Sequence, residues 1–246
     1  MLLFFLFGWF VKIVFFGPYL FGAAFEIVII HDFFPRFFRS NLVSAVVYPM
    51  VLLSLGCFAT TKLWVLRIAA GLLVACAGIL CLHQNTYNDA TFVVSFWCAL
   101  WLLWLSACAW REPQAKRHAA TLASCIVGLM FLGGFVGKLT PAYWNGEIIG
   151  RIFLEQGGES PLTFLLPLPD GALKKIALSL IAKCIIVGEG LLALNLIVYR
   201  RQLWGISLAV IPMLIFFSSW RILSVASGLI GLLVAALILK THEIKS

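Results

Sequence analysis

The sequence predicts an all-α protein, a polytopic transmembrane helical bundle of about eight spans, on three observations. Hydrophobic residues make up 63% of the 246 and charged residues only 11%, with a mean hydropathy of +1.05. The apolar residues fall into runs of roughly 20, the length a helix needs to cross the hydrocarbon core. Tryptophans gather near the ends of those runs, at Trp64, Trp110, Trp144, Trp204 and Trp220, as in the aromatic belts of membrane interfaces. Spans and short connections take up nearly the whole chain, so residues 1–246 read as one transmembrane domain without a separate soluble catalytic domain.

The first span is predicted over Phe4–Ile30, bent at Gly17-Pro18 because proline removes a helix hydrogen bond. Its opening residues lack a basic n-region and an A-x-A-like cleavage site, and Lys12 interrupts the apolar run. They read as a retained span rather than a signal peptide. Run length places the others at Leu42–Thr60, Trp64–Leu82, Ala90–Trp110, Thr121–Leu139, Leu173–Tyr199, Leu203–Ser219 and Ile222–Leu239. The long connection Thr140–Ala172 has a pattern of its own. Ile148, Ile149, Ile152 and Phe153 recur at helical spacing within Glu147–Glu155, which predicts a short helix lying in the interface. Pro161, Pro167 and Pro169 then break the apolar stretch beyond it.

Charge gives the orientation. Lys62, Arg67, Arg111, Lys116, Arg117, Arg200, Arg201, Lys240 and Lys245 fall on one side, against Arg36, Arg39 and Arg221 in the short connections of the other. Lysine and arginine stay in cytoplasmic loops, so both termini are expected to be cytoplasmic and the Pro-rich loop outside. The net charge of +8 is accounted for by this topology signal. Without a basic patch interleaved with base-stacking aromatics, it does not imply nucleic acid. Cys57, Cys76, Cys81, Cys98, Cys108, Cys125 and Cys184 all lie in apolar runs without a CxxC and read as small core residues. No HExxH, GxSxG, phosphate loop or Cys/His metal spacing is present.

Ionisable residues inside spans are costly and mark functional sites by default. Lys12, Glu26, Lys138, Lys183 and Glu189 qualify. Lys12 with Glu189 reads as a structural pair in the cytoplasmic half, while Arg67 and Arg221 at span ends read as snorkelling anchors. Lys138 stands apart. It closes the glycine-rich run Met130–Leu139, in which Gly133 and Gly137 form a small-xxx-small pair that would admit a neighbouring helix. Gly134 lies one turn before Lys138 on the same face and should leave room beside the amine. On the predicted outer side it would join His83, Asn85, Tyr87, Asn88 and Asp89, with a cavity lined by Gly134, Asn88 and Leu162–Pro169. A lysine desolvated between helices gives up its charge more easily and can serve as a base; a lysine that snorkels to the surface is only an anchor.

The stretch Gly134 to Gly146, an apolar-Gly-x-x-Lys-Leu segment leading into aromatics and glycine, resembles vitamin K-dependent gamma-carboxylase and its bacterial relatives, the HTTM membrane family. Tyr87-Asn88-Asp89-Ala90 resembles that family's loop-to-helix segment, with Asp89 where a histidine is expected, and Gly188-Glu189-Gly190-Leu191-Leu192 resembles its later acidic helix. The resemblance covers roughly residues 20 to 235. It implies carboxylase-like, lyase-class chemistry in which a lysine deprotonates a reduced quinone of the menaquinone or vitamin K type. Carried over, Lys138, Asn88 and Asp89 would be catalytic, with Gly134, His83, Tyr87, Trp144 and Glu189 around the quinone, no metal, and a bacterial inner membrane as the setting. A peptide or protein substrate, or an envelope redox partner, would be the companion. The glycine-then-Lys-Leu helix end is also similar to the DoxX/MauE-like redox-associated membrane proteins. Small relatives of the first family act as non-enzymatic helpers in peptide maturation, export or immunity, which leaves that role open as well.

Overall fold

The computed structural model describes residues 3, 6–12, 14, 35–60, 62–83, 90–107, 113–151, 171–199 and 223–244. Among them there is no strand. The helices are α1 (Asn41–Cys57), α2 (Leu63–Leu82), α3 (Ala90–Ala107), α4 (Pro113–Gly137), α5 (Pro141–Trp144), α6 (Glu147–Gly150), α7 (Ala172–Leu194) and α8 (Leu223–Ile244), with residues 6–12 also helical. Four stretches are long and apolar enough to cross a membrane: Leu63–Leu82, Ala90–Ala107, Gln114–Gly137 and Ala172–Val198. Shorter apolar helices run over Leu42–Cys57 and Val225–Leu239. The predicted third, fourth and sixth spans match their helices closely. The seventh, Leu203–Ser219, and most of the first, Phe4–Ile30, lie outside the described residues.

The fifth span needs correction: its helix starts at Pro113, eight residues before the predicted Thr121. Lys116 and Arg117 had marked a loop, yet proline at the first helical position is pre-set for helix. Gln114, Ala115, Lys116 and Arg117 are good helix formers, so the helix continues through the basic segment. Of the interfacial helix expected over Glu147–Glu155, Glu147–Gly150 is helical. Its Ile149 is buried against Leu178, Ala182 and Ile185 of α7, and residues 152–155 lie outside the described part.

Two compact units emerge, residues 1–123 with 227–246, and residues 124–226. In the first, α2 buries one face of mostly small residues, Ala69, Ala70, Leu73, Cys76, Ala77 and Leu80, at the three-to-four spacing of a helix stripe. Cys76 and Cys98 are buried free thiols, as expected of core residues, whereas Cys57 and Cys184 are exposed and do not fill that role. Several polar ties described in this unit end on neutral acceptors. Trp9 Nε1 donates to Ser95 Oγ at 3.0 Å, and Ser95 donates to Thr91 O at 2.7 Å. Arg67 donates to Ser106 O through Nε at 2.9 Å and Nη2 at 2.7 Å, tying α2 to the last turn of α3. Gly228 brings α8 onto α3, where an added Cβ would lie 2.9 Å from Val94 Cγ1.

In the second unit α4 and α7 run antiparallel. A Cβ at Gly128 would lie 2.7 Å from Ile197 Cγ1 and 3.2 Å from Leu196 Cβ, and one at Gly190 would lie 3.0 Å from the Phe135 ring. The side chains that occupy these positions would have to shift to admit a Cβ. The small-xxx-small pair read from the sequence does not serve here: nothing lies within 4 Å of a Cβ at Gly133 or Gly137. Past Asn195 the last turn of α7 widens into a π-helical segment, Asn195–Tyr199.

Candidate functional site

α4 stops at Gly137, and the turn beyond it, Lys138 to Gly146, decides the chemistry. Lys138 N still bonds back to Gly134 O at 3.2 Å, but Thr140 is extended and starts a new helix. Its hydroxyl accepts from Tyr143 N at 3.4 Å, with Pro141 at the first helical position. This capping turns the chain along α7. Ser179 Oγ donates to Trp144 O at 3.1 Å. Gly146 comes next at φ 79°, with a Cβ position 2.6 Å from the backbone of Leu178 and Ser179. Both the left-handed backbone and the contact exclude other side chains there. The segment is thus pinned beside α7 from Glu189 to Leu178.

That pinning sets Lys138 against Glu189. Lys138 Nζ donates to Glu189 Oε1 at 2.7 Å and to Oε2 at 2.6 Å, and to Gly134 O at 3.4 Å. The side chains are 20% and 14% exposed. The Lys138 amine also stands 5.8 Å from the centre of the Tyr143 ring, within cation–π range. Burial first, and then the Glu189 carboxylate, push the Tyr143 phenol above its ordinary range, so it keeps its proton near neutral pH. Glu189 sits six residues, about 9 Å, along α7 from Lys183, whose amine lies 5.6 Å over the Trp144 ring. A lysine on a half-exposed tryptophan is the usual partner set of an interface.

Three expectations change. The structural pair assigned to Lys12 and Glu189 is instead Lys138–Glu189, while Lys12 is buried over the Phe92 ring at 5.6 Å. The error came from placing Glu189 by loop charge alone, whereas α4 and α7 meet at Gly134 and Glu189. The room expected beside the amine at Gly134 is filled by the carboxylate: a Cβ there would lie 3.0 Å from Glu189 Oε2 and 3.3 Å from Lys138 Nζ. Glycine admits the partner charge. Finally, Lys138 neither snorkels free nor stands as a lone amine.

Of the other site residues, Trp144 is in place beside α7. His83 is fully buried, its Nε2 donating to Ser40 O at 3.1 Å, so it ties the end of α2 to the start of α1. Tyr87, Asn88 and Asp89 lie outside the described residues, as does the Leu162–Pro169 lining. No group of three His, Cys, Asp or Glu able to hold a metal occurs among the described residues. A signal for the pair was present in the sequence: each charge is flanked by glycine within an apolar helix, Gly134 before Lys138, and Gly188 and Gly190 around Glu189.

The fold and this pair together define a helical membrane protein with an internal charge pair. Compared with known proteins, the chain matches no family model, no curated protein and no solved structure.

Proposed function

We propose that this is a multi-pass membrane protein of about eight spans, of the HTTM and gamma-carboxylase-like kind it resembles, that handles a lipid-soluble quinone at the Lys138–Glu189 pair. The observation that carries the reading is that pair. Opposite charges held 2.6 Å apart in an apolar helix seam are an expensive arrangement, and ionisable groups kept at such depth mark ligand and proton sites. In this reading both termini are cytoplasmic in a bacterial inner membrane, and the loop Thr140–Ala172, with its interfacial segment, faces outside.

The surroundings fit such a molecule. Beside the pair, Gly133 and Gly137 leave open positions, and Leu132, Val136 and Leu139 present exposed apolar surface. A flat apolar body with polar oxygens meets both kinds of surface. When bound in its reduced form, a quinone would supply an acidic hydroxyl and two-electron chemistry. The chain's part is to hold that oxygen at Lys138 and Glu189, with Trp144 nearer the interface.

Lipid extraction and mass spectrometry of the purified protein test the proposal. Quinone is expected at near one molecule per chain, and an amount no higher than in an unrelated purified membrane protein refutes it. A second reading has one observation in its favour: the two charges satisfy each other. It makes the pair a brace in a non-enzymatic helper of peptide maturation or export, and then no quinone is retained.

A further inference from the structure

We propose that the Lys138–Glu189 pair lies near the middle of the bilayer, and that its ligand enters sideways from the lipid across the Gly133–Gly137 face. The entry route rests on the quinone-site reading above and deepens it; the depth does not depend on that reading.

A band of exposed apolar side chains sets the depth. From Leu173 to Val198, α7 turns large apolar residues outward along its whole length, among them Ile176 at 67%, Leu180 at 62% and Leu191 at 61% exposed. At 1.5 Å per residue the band runs about 38 Å, against a hydrocarbon core of about 30 Å. Glu189 lies about 24 Å along the helix from Leu173 and about 14 Å from Val198. A core laid anywhere within the band therefore keeps the pair at least about 6 Å inside it, and never at the outer boundary. Arg200 and Arg201 follow the band at once. Basic residues hold that end at the cytoplasmic boundary, which leaves the pair about 14 Å in, close to the centre. Lys183, nearer the outer boundary with its amine over Trp144, is then within snorkelling reach of it.

The length of α4 alone would put Lys138 at the outer edge, since Gln114–Gly137 could also cross a membrane. Exposed area decides between the two. With Lys138 at the edge, Leu173, Ile176 and Leu180, each more than 60% exposed, would stand in water. With the pair at mid-depth, the first half of α4 moves outward instead. From Ala119 to Val127 that half exposes one large apolar residue, Leu122, at 39%. The break after α4 also tolerates hydrocarbon, where backbone polar groups must be satisfied internally. Leu139 N donates to Val136 O at 3.2 Å and Trp144 N to Thr140 O at 2.9 Å, and Pro141 has no N–H to satisfy.

At this depth the open positions at Gly133 and Gly137, flanked by exposed Leu132 and Val136, face acyl chains rather than headgroups. The ligand class that fits is one that resides among those chains, a quinone with a long isoprenoid tail. The outer-side cavity expected from the sequence is not its way in.

Depth is tested by fluorine NMR of the full chain in phosphatidylglycerol/phosphatidylcholine nanodiscs, with trifluoromethylphenylalanine in place of Leu173, Leu191 or Val198. Dissolved oxygen concentrates at the bilayer centre and a water-soluble nickel(II) chelate stays outside. The oxygen-to-nickel broadening ratio should be at least about twofold higher at Leu191 than at either end of the band. A ratio at Leu191 no higher than at Leu173 overturns the depth and leaves quinone binding standing. The route is tested by the quinone extracted from Gly137→Phe, which fills the open face, and from Gly56→Phe, an open position in the first unit. Gly137→Phe should lose most of its quinone and Gly56→Phe should keep it. Full retention in Gly137→Phe, or equal losses in both, overturns the lateral route. A wild-type chain without quinone overturns the site reading and the route with it.

Discussion

The two compact units hold their helices together by different means. In the first, α2 buries a stripe of alanine, leucine and cysteine, and Arg67 ties it to a neutral acceptor of α3, Ser106 O. In the second, α4 and α7 meet over glycines at Gly128 and Gly190, and the tie is a full ion pair. Neutral hydrogen bonds cost little to bury and are sufficient for packing. Two opposite charges cost several kcal/mol each to desolvate, and hydrophobic residues of similar size often hold helices at least as well. The second unit therefore carries something that packing alone does not call for.

The largest effect expected is at the turn that pins Lys138 in place. Gly146→Ala forces a side chain into a left-handed backbone and against Leu178 and Ser179. It should lower the stability of the purified protein by at least about 3 kcal/mol, read by thermal unfolding in detergent. A variant that melts like the wild type would separate the turn from the ion pair.

The glycines sharpen the comparison next. Gly128→Ala should cost about 2 kcal/mol, because Ile197 and Leu196 leave no room for a methyl group. Gly133→Ala, with open space around it, should be neutral or stabilise by about 0.5 kcal/mol through helix propensity. Equal losses at the two positions would restore the helix contact that the Gly133/Gly137 spacing had suggested.

The smallest change belongs to the first unit. Arg67→Lys replaces a two-pronged donor on Ser106 O with a single ammonium, and Arg67 is exposed. The loss should stay below about 1 kcal/mol in the same melting assay. A larger loss would mean that the α2–α3 contact also depends on charge.

These contrasts also show what the sequence could carry. Apolar run length located α2, α3 and α7 to within a few residues, because crossing a membrane fixes helix length directly. It failed at Pro113, where a basic segment looked like loop but formed helix. The partner of Lys138 was not legible from periodicity. Glu189 lies 51 residues away, and only the antiparallel register of α4 and α7 brings the two together. The Gly133/Gly137 spacing pointed to the wrong face, since spacing says which residues align but not which face meets a neighbour. Glycine beside charge, at Gly134 and around Glu189, was the more informative pattern.

The central claim is that Lys138 and Glu189 act as one coupled unit, and a double-mutant cycle of thermal stabilities tests it most directly. Lys138→Met and Glu189→Met should each destabilise by about 2 kcal/mol, because each leaves a charge without its partner. The double variant should recover most of that loss, giving a coupling of at least about 1 kcal/mol. Losses that simply add would show two independent side chains and contradict the account.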